Sequence, residues 1–176
     1  MSALAVFGIS FAALLLATVP CRAQLGATQQ QLVARYGPCK ADDTAKPTGP
    51  NVYDSVIDVG SHCNFYDGRI RGVALFKSDR VVGFYFDKSP TFWESLFHPF
   101  AYSYLPLSDA EISDLLRAAD PGAKWVVGPS DDIVHRWHTA DESAAAYYFA
   151  GGHRDRYELI VQTAAVDEIY RKVEHY

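Results

Sequence analysis

The sequence contains no run of more than two consecutive basic residues, and its formal charge is −5 at pH 7. A mildly acidic chain gains nothing from a phosphate backbone, which argues against nucleic acid as a partner. Low-complexity tracts are missing too, while aromatic residues make up 14% of the chain. That composition belongs to a folded chain rather than a disordered one. No Gly-x-Ser-x-Gly elbow occurs, and Ser78, Ser89 and Ser108 read as cap and turn residues. Cysteine is scarce, with three in 176 residues.

One long apolar run is present, from Ala3 to Val19, followed by Pro20-Cys21-Arg22-Ala23. Small residues at Cys21 and Ala23 fit the positions a signal peptidase inspects, so residues 1–23 read as a signal peptide cut after Ala23. No Lys or Arg precedes the run, which keeps an uncleaved anchor as the alternative; only then would the protein meet a membrane. Arg22 is the only charge in this segment, so its loss leaves 153 residues with a charge of −6. That length forms one domain with a hydrophobic core. An exported chain, periplasmic or secreted, is the expectation. In an oxidising compartment Cys39 and Cys63 read first as a disulfide, with two unpaired buried thiols as the competing reading.

Along residues 24–176 the pattern alternates between capped helices and strands. Thr28 followed by Gln31 is a capping box, Leu32, Val33 and Tyr36 supply an apolar stripe, and Gly37-Pro38 ends a helix over residues 29–36. Residues 40–51 read as a loop. From Val52 to Lys88 aromatic and β-branched residues dominate, with turns at Asp67-Gly68 and Ser78-Asp79-Arg80. In the last of these strands, alternation puts Val82, Phe84 and Phe86 on one face and Val81 and Tyr85 on the other. Ser108 and Glu111 form a second capping box ahead of Ile112, Leu115, Leu116 and Ala119, and Asp120-Pro121-Gly122 stops that helix. Strands are expected at 124–127, 133–139, 143–150 and 157–163, with a C-terminal helix marked by Val166, Ile169, Tyr170 and Val173.

The fold class is therefore α+β: antiparallel β-sheet meanders with flanking short helices, in a tandem helix-plus-meander repeat of pattern with a period of roughly 80 residues. The halves are residues 24–89 and 106–176, joined by a Pro-bounded aromatic bridge at 90–105. Ser89 and Pro90 suit the start of a short helix there, which would put Trp93, Leu96, Phe97 and Phe100 on one face.

The run from Gly26 to Val33 leading into Tyr36-Gly37-Pro38 resembles the start of the SmpA/OmlA-like (BamE-like) small outer-membrane-assembly lipoproteins. These share their architecture with β-lactamase-inhibitor-protein-like domains. The stretch from Leu107 to Leu116, with Trp125, Trp137 and Tyr147-Tyr148, is similar to a group of small exported bacterial proteins. The resemblance implies helices on one face of an antiparallel sheet, and an interaction domain with no active site. The lipid-accepting cysteine context of the lipoproteins is missing.

No motif calls for a cofactor. His135 and His138 are three residues apart in an expected strand, so alternation sends them to opposite faces and one metal ion cannot take both. His62 beside Cys63 would activate a thiolate only if the disulfide were absent. Asp131 and Asp132 are adjacent and diverge in direction, which does not suit a shared proton. The remaining candidate is aromatic. Phe92, Trp93, Phe97, Phe100, Tyr102 and Tyr104 offer a binding surface, because rigid rings bring large contact area at low entropic cost; Tyr85 and Tyr148 would extend it. The competing reading makes the same segment a cover for the sheet. The expected function is an exported, non-catalytic interaction module for a protein or cell-envelope component. A small secreted hydrolase or a small-ligand binder is the alternative.

Overall fold

The computed structural model describes residues 24–39, 61–90, 105–151 and 157–174. Among these residues three helices, α1 (Gln29–Tyr36), α2 (Asp109–Ala119) and α3 (Ala164–Glu174), accompany seven strands. The strands are β1 (Ser61–Asp67), β2 (Ile70–Lys77), β3 (Arg80–Lys88), β4 (Trp125–Val127), β5 (Val134–Thr139), β6 (Ala144–Ala150) and β7 (Tyr157–Thr163). They form one antiparallel sheet in the order β1-β2-β3-β7-β6-β5-β4. The last strand of each half lies at the centre, so β3 and β7 join two meanders side by side. The fold is α+β, as the pattern implies.

Both capping boxes form. Thr28 Oγ1 accepts the Gln31 N–H at 3.2 Å while Gln31 Oε1 accepts the Thr28 N–H at 2.8 Å. Ser108 and Glu111 repeat the exchange at 3.3 and 2.8 Å. Each box satisfies two amides that helix geometry leaves open. Gly37, at φ 84°, closes α1 by donating to the Val33 carbonyl. The β2–β3 hairpin turns on Ser78 and Asp79, both with positive φ, the conformation a tight turn between right-twisted strands requires.

The helices α1 and α2 bury their apolar stripes on one sheet face. Leu32, Ile112, Leu116 and Ala119 meet Cys63, Phe65, Ala74, Phe84, Phe86, Ala146, Leu159 and Val161 there. Ala74 and Ala146, both fully buried, leave room for the helices to approach. Three phenylalanines centre this core: Phe65 meets Phe84 and Phe86 edge-on, each at 6.2 Å between ring centroids. Edge-to-face contact matches ring edges to ring faces, and each buried ring contributes about 2–3 kcal/mol by leaving water. The disulfide between Cys39 and Cys63 ties the end of α1 to β1. Closing a loop of 24 residues stabilises the fold by about 3 kcal/mol in the chain-entropy model.

The expected facing of β3 needs one correction. Phe76 pairs with Val81 and Leu75 with Gly83, so the register slips by one residue at Val82. This bulge carries Val81 to the face of Phe84 and Phe86, and Val82 to the face of Tyr85. A bulge adds a residue to one strand only, and side chains beyond it change sides. Simple alternation therefore mis-assigns both valines. Of the strands expected from Val52 onward, residues 52–60 lie outside the described residues, as does the bridge from 91 to 104.

Phe65 lies over Gly72 on the neighbouring strand, and a Cβ at that glycine would run into the ring. Gly72→Ala should push Phe65 off Phe84 and Phe86 and cost about 1–3 kcal/mol, measured as a lowered urea midpoint. A second prediction concerns pH. Glu111 is held at about 2, chiefly by its hydrogen bond from Lys88 and then by the Ser108 amide; the Lys88 Nζ to Glu111 Oε1 distance is 2.7 Å. Because its folded value is depressed, its contribution is complete above the unfolded value near 4.5 and fades as pH falls toward 2. Glu111→Gln should flatten the loss of stability between about pH 5 and pH 2.5 in urea titrations.

Candidate binding groove

The second sheet face carries Val73, Leu75, Tyr85, Ala145, Tyr147 and Ile160, all buried. At one end of this face lies α3, fixed by a buried carboxylate. Asp167, in the first turn of the helix, accepts the Tyr147 hydroxyl at 2.5 Å and the Gln162 amide at 3.0 Å on Oδ1. Its Oδ2 takes the Arg171 guanidinium at 2.6 Å. A buried carboxylate is stable only when its oxygens are met in this way. Burial and then the bond to Asp167 push the Tyr147 hydroxyl up to about 12, so it stays protonated and keeps donating. Val166, beside it in the sequence, is buried as well.

Beside α3 opens a groove of about 900 Å³. Ala145 and Tyr147 of β6 and Arg136 and His138 of β5 line it from the sheet, α3 contributes Asp167, Glu168, Arg171 and Lys172, and the start of the β4–β5 connection contributes Gly128 and Pro129. Its space comes from small side chains, since Ala144, Ala145, Ala164 and Gly128 all border it. Two ion pairs stand at its margin. Lys172 Nζ meets Glu168 Oε1 at 2.7 Å and Arg136 Nη1 meets Asp131 Oδ2 at 3.2 Å. Asp131 is drawn below its usual range, first by the Val134 amide and then by that of Ile133. On the β5–β6 turn, Asp141 is held at about 2 by the side chains of Thr139 and Ser143 and the Ser143 amide. These shifts trace to turn-forming hydrogen bonds.

Of the aromatic residues proposed for binding, Tyr85 and Tyr148 are the two described. Phe92, Trp93, Phe97, Phe100, Tyr102 and Tyr104 lie outside the described residues. Tyr85 and Tyr148 are buried, at 4% and 5% exposure, and sit on opposite faces of the sheet. Tyr148 faces the helices, where its hydroxyl accepts the Leu107 N–H at 3.0 Å and anchors the chain just ahead of α2. Trp125 has a comparable part, donating its indole N–H to the Leu116 carbonyl at 3.0 Å near the end of α2. His135 and His138 do part to opposite faces: His135 lies 6.3 Å from Trp137 and 6.1 Å from Tyr148, while His138 borders the groove. Among the described residues no group of His, Cys, Asp and Glu could hold a metal ion. The groove itself was missed by sequence reasoning. Its signals were the Ala144-Ala145-Ala146 run and the acid–base pairs four residues apart at Asp167/Arg171 and Glu168/Lys172.

Comparison with protein-family models, with curated proteins and with solved structures returned no match.

The Asp167 network makes a direct prediction. Asp167→Ala removes the acceptor that the Tyr147 hydroxyl and the Gln162 amide share and should cost about 2–3 kcal/mol. Amide exchange should rise most over residues 164–174, and an unchanged exchange pattern there would contradict the anchoring role.

Proposed function

We propose that the protein is an exported, non-catalytic interaction module that binds a protein or cell-envelope component. The groove beside α3 carries this reading. An aromatic and small-residue floor within a margin of paired charges has the anatomy of a recognition surface, with an apolar centre and a polar rim. Ion pairs already held in place at the rim give selectivity and steering for a partner of complementary charge rather than raw affinity. The resemblance of the first helix to SmpA/OmlA-like proteins points the same way, toward partner binding at the cell envelope. Export draws on the apolar N-terminal segment, and the Cys39–Cys63 disulfide is compatible with an oxidising compartment. No helix among the described residues is long and apolar enough to cross a membrane.

The test is capture of envelope components by the immobilised protein. Lys172 and Glu168 are both 70% exposed at their side chains, so reversing them leaves the fold intact. Lys172→Glu combined with Glu168→Lys should keep the wild-type melting temperature and lose the captured component by about tenfold, since rim charges contribute on the order of 1 kcal/mol. Lys77→Glu, at the far end of β2, should leave capture unchanged. Equal capture by all three proteins would remove the groove from the reading. A melting shift caused by a small molecule, abolished by the groove variant, would turn the assignment to a ligand-binding protein.

A further inference from the structure

Among the described residues the sheet ends at β4, and the outer side of that strand has a definite chemistry. In the ladder with β5, Val126 faces His138, and the flanking bonds are Ala140 N–H to the Lys124 carbonyl at 2.9 Å and Gly128 N–H to the Arg136 carbonyl at 2.8 Å. Antiparallel pairing alternates hydrogen-bonded and non-bonded positions. Residues 124, 126 and 128 therefore spend their main-chain groups on β5, and the N–H and C=O groups of Trp125 and Val127 point away from it. Among the described residues no strand lies on that side. The same strip carries Val127, 71% exposed and the most exposed large apolar side chain among those described. Two donors and two acceptors in strand register beside an apolar side chain fit another strand better than any small molecule.

We propose that this edge is a homodimer contact, in which β4 of two copies pairs antiparallel about a two-fold axis at Val126. The register is self-complementary. Trp125 falls opposite the partner's Val127 and Val127 opposite the partner's Trp125, and all four positions have outward main-chain groups, so four hydrogen bonds form. Each exposed Val127 gains a cross-strand neighbour on the indole, a pairing of the kind that stabilises sheets. The only charge in residues 123–130 is Lys124, which falls opposite the partner's Gly128, so no like charges face each other. The three-residue length of β4 and the proline at 129 end the strip and prevent slippage into other registers. The contact is isologous and closes on itself, giving a pair and not a fibre. It is also small, so the pair forms in proportion to concentration.

Sedimentation equilibrium of the purified protein reads this directly, and it is independent of any groove partner. The mean mass should rise from one chain toward two between about 10 μM and about 1 mM, the range expected of a small interface. Val127→Pro removes one outward N–H without touching the bonds to β5; it should stay a single chain across that range, with the wild-type melting temperature at low concentration. The register is tested by cross-linking in a Cys21→Ser background. Facing non-bonded residues lie about 4.5 Å apart at Cα, within disulfide reach, so oxidised Val126→Cys should give a reducible dimer and Lys124→Cys should not. A wild-type protein that remains one chain at the highest concentration overturns the proposal. So does a Val127→Pro variant that dimerises like wild type, or a Val126→Cys variant that fails to cross-link.

Discussion

Everything in this fold is arranged around the pairing of β3 with β7, from Gly83 opposite Gln162 to Asp87 opposite Glu158. Each half alone is a short meander with one helix on the shared face, the second half adding α3 on the other, and each is too small to enclose a core. Joined at this seam, the halves present one continuous sheet, and α1 and α2 share a single apolar layer. The seam has a weak point at its end, where two carboxylates, Asp87 and Glu158, stand side by side; like charges in that position repel. Arg71 on β2 answers this by gripping Asp87 with its guanidinium, at 2.5 Å in the closest contact. That pair sits on the second face, with the Asp87 side chain only 5% exposed.

The two faces are held by different physics. The helix-covered face is mainly apolar, and its order comes chiefly from interlocking rings and small residues. The other is fastened at polar points, Arg71 with Asp87 and Asp167 with Tyr147, Gln162 and Arg171. Polar fastenings depend on direction, so they fix where α3 lies without filling the space beside it. The groove is what such fastening leaves.

Much of this architecture could be read directly from residue patterns. Capping boxes at Thr28 and Ser108 located two helix starts because they are local hydrogen-bond chemistry, independent of the rest of the chain. The strand at Tyr157–Thr163 and the others near it followed from short-range alternation. What escaped depended on contacts between distant residues. The bulge at Val82 arises from register against β2, which no single strand encodes. The buried fate of Tyr85 and Tyr148 depends on which layers cover each face, and a tyrosine suits a core or a surface equally well in sequence. Nothing in the local sequence marks Asp167 for burial, which follows only from where Tyr147 and Gln162 lie.

The central position of the seam has a consequence for how the chain acquires its shape. A polypeptide made from its N-terminus has β1, β2 and β3 in hand before the strand that completes their sheet, Tyr157–Thr163. Until β7 exists, the inner edge of β3 lacks its partner strand, and the first meander remains provisional. Sequence-distant pairing of this kind is slow to form. The seam can therefore close only after the second half has been made, and it joins the two halves as it forms.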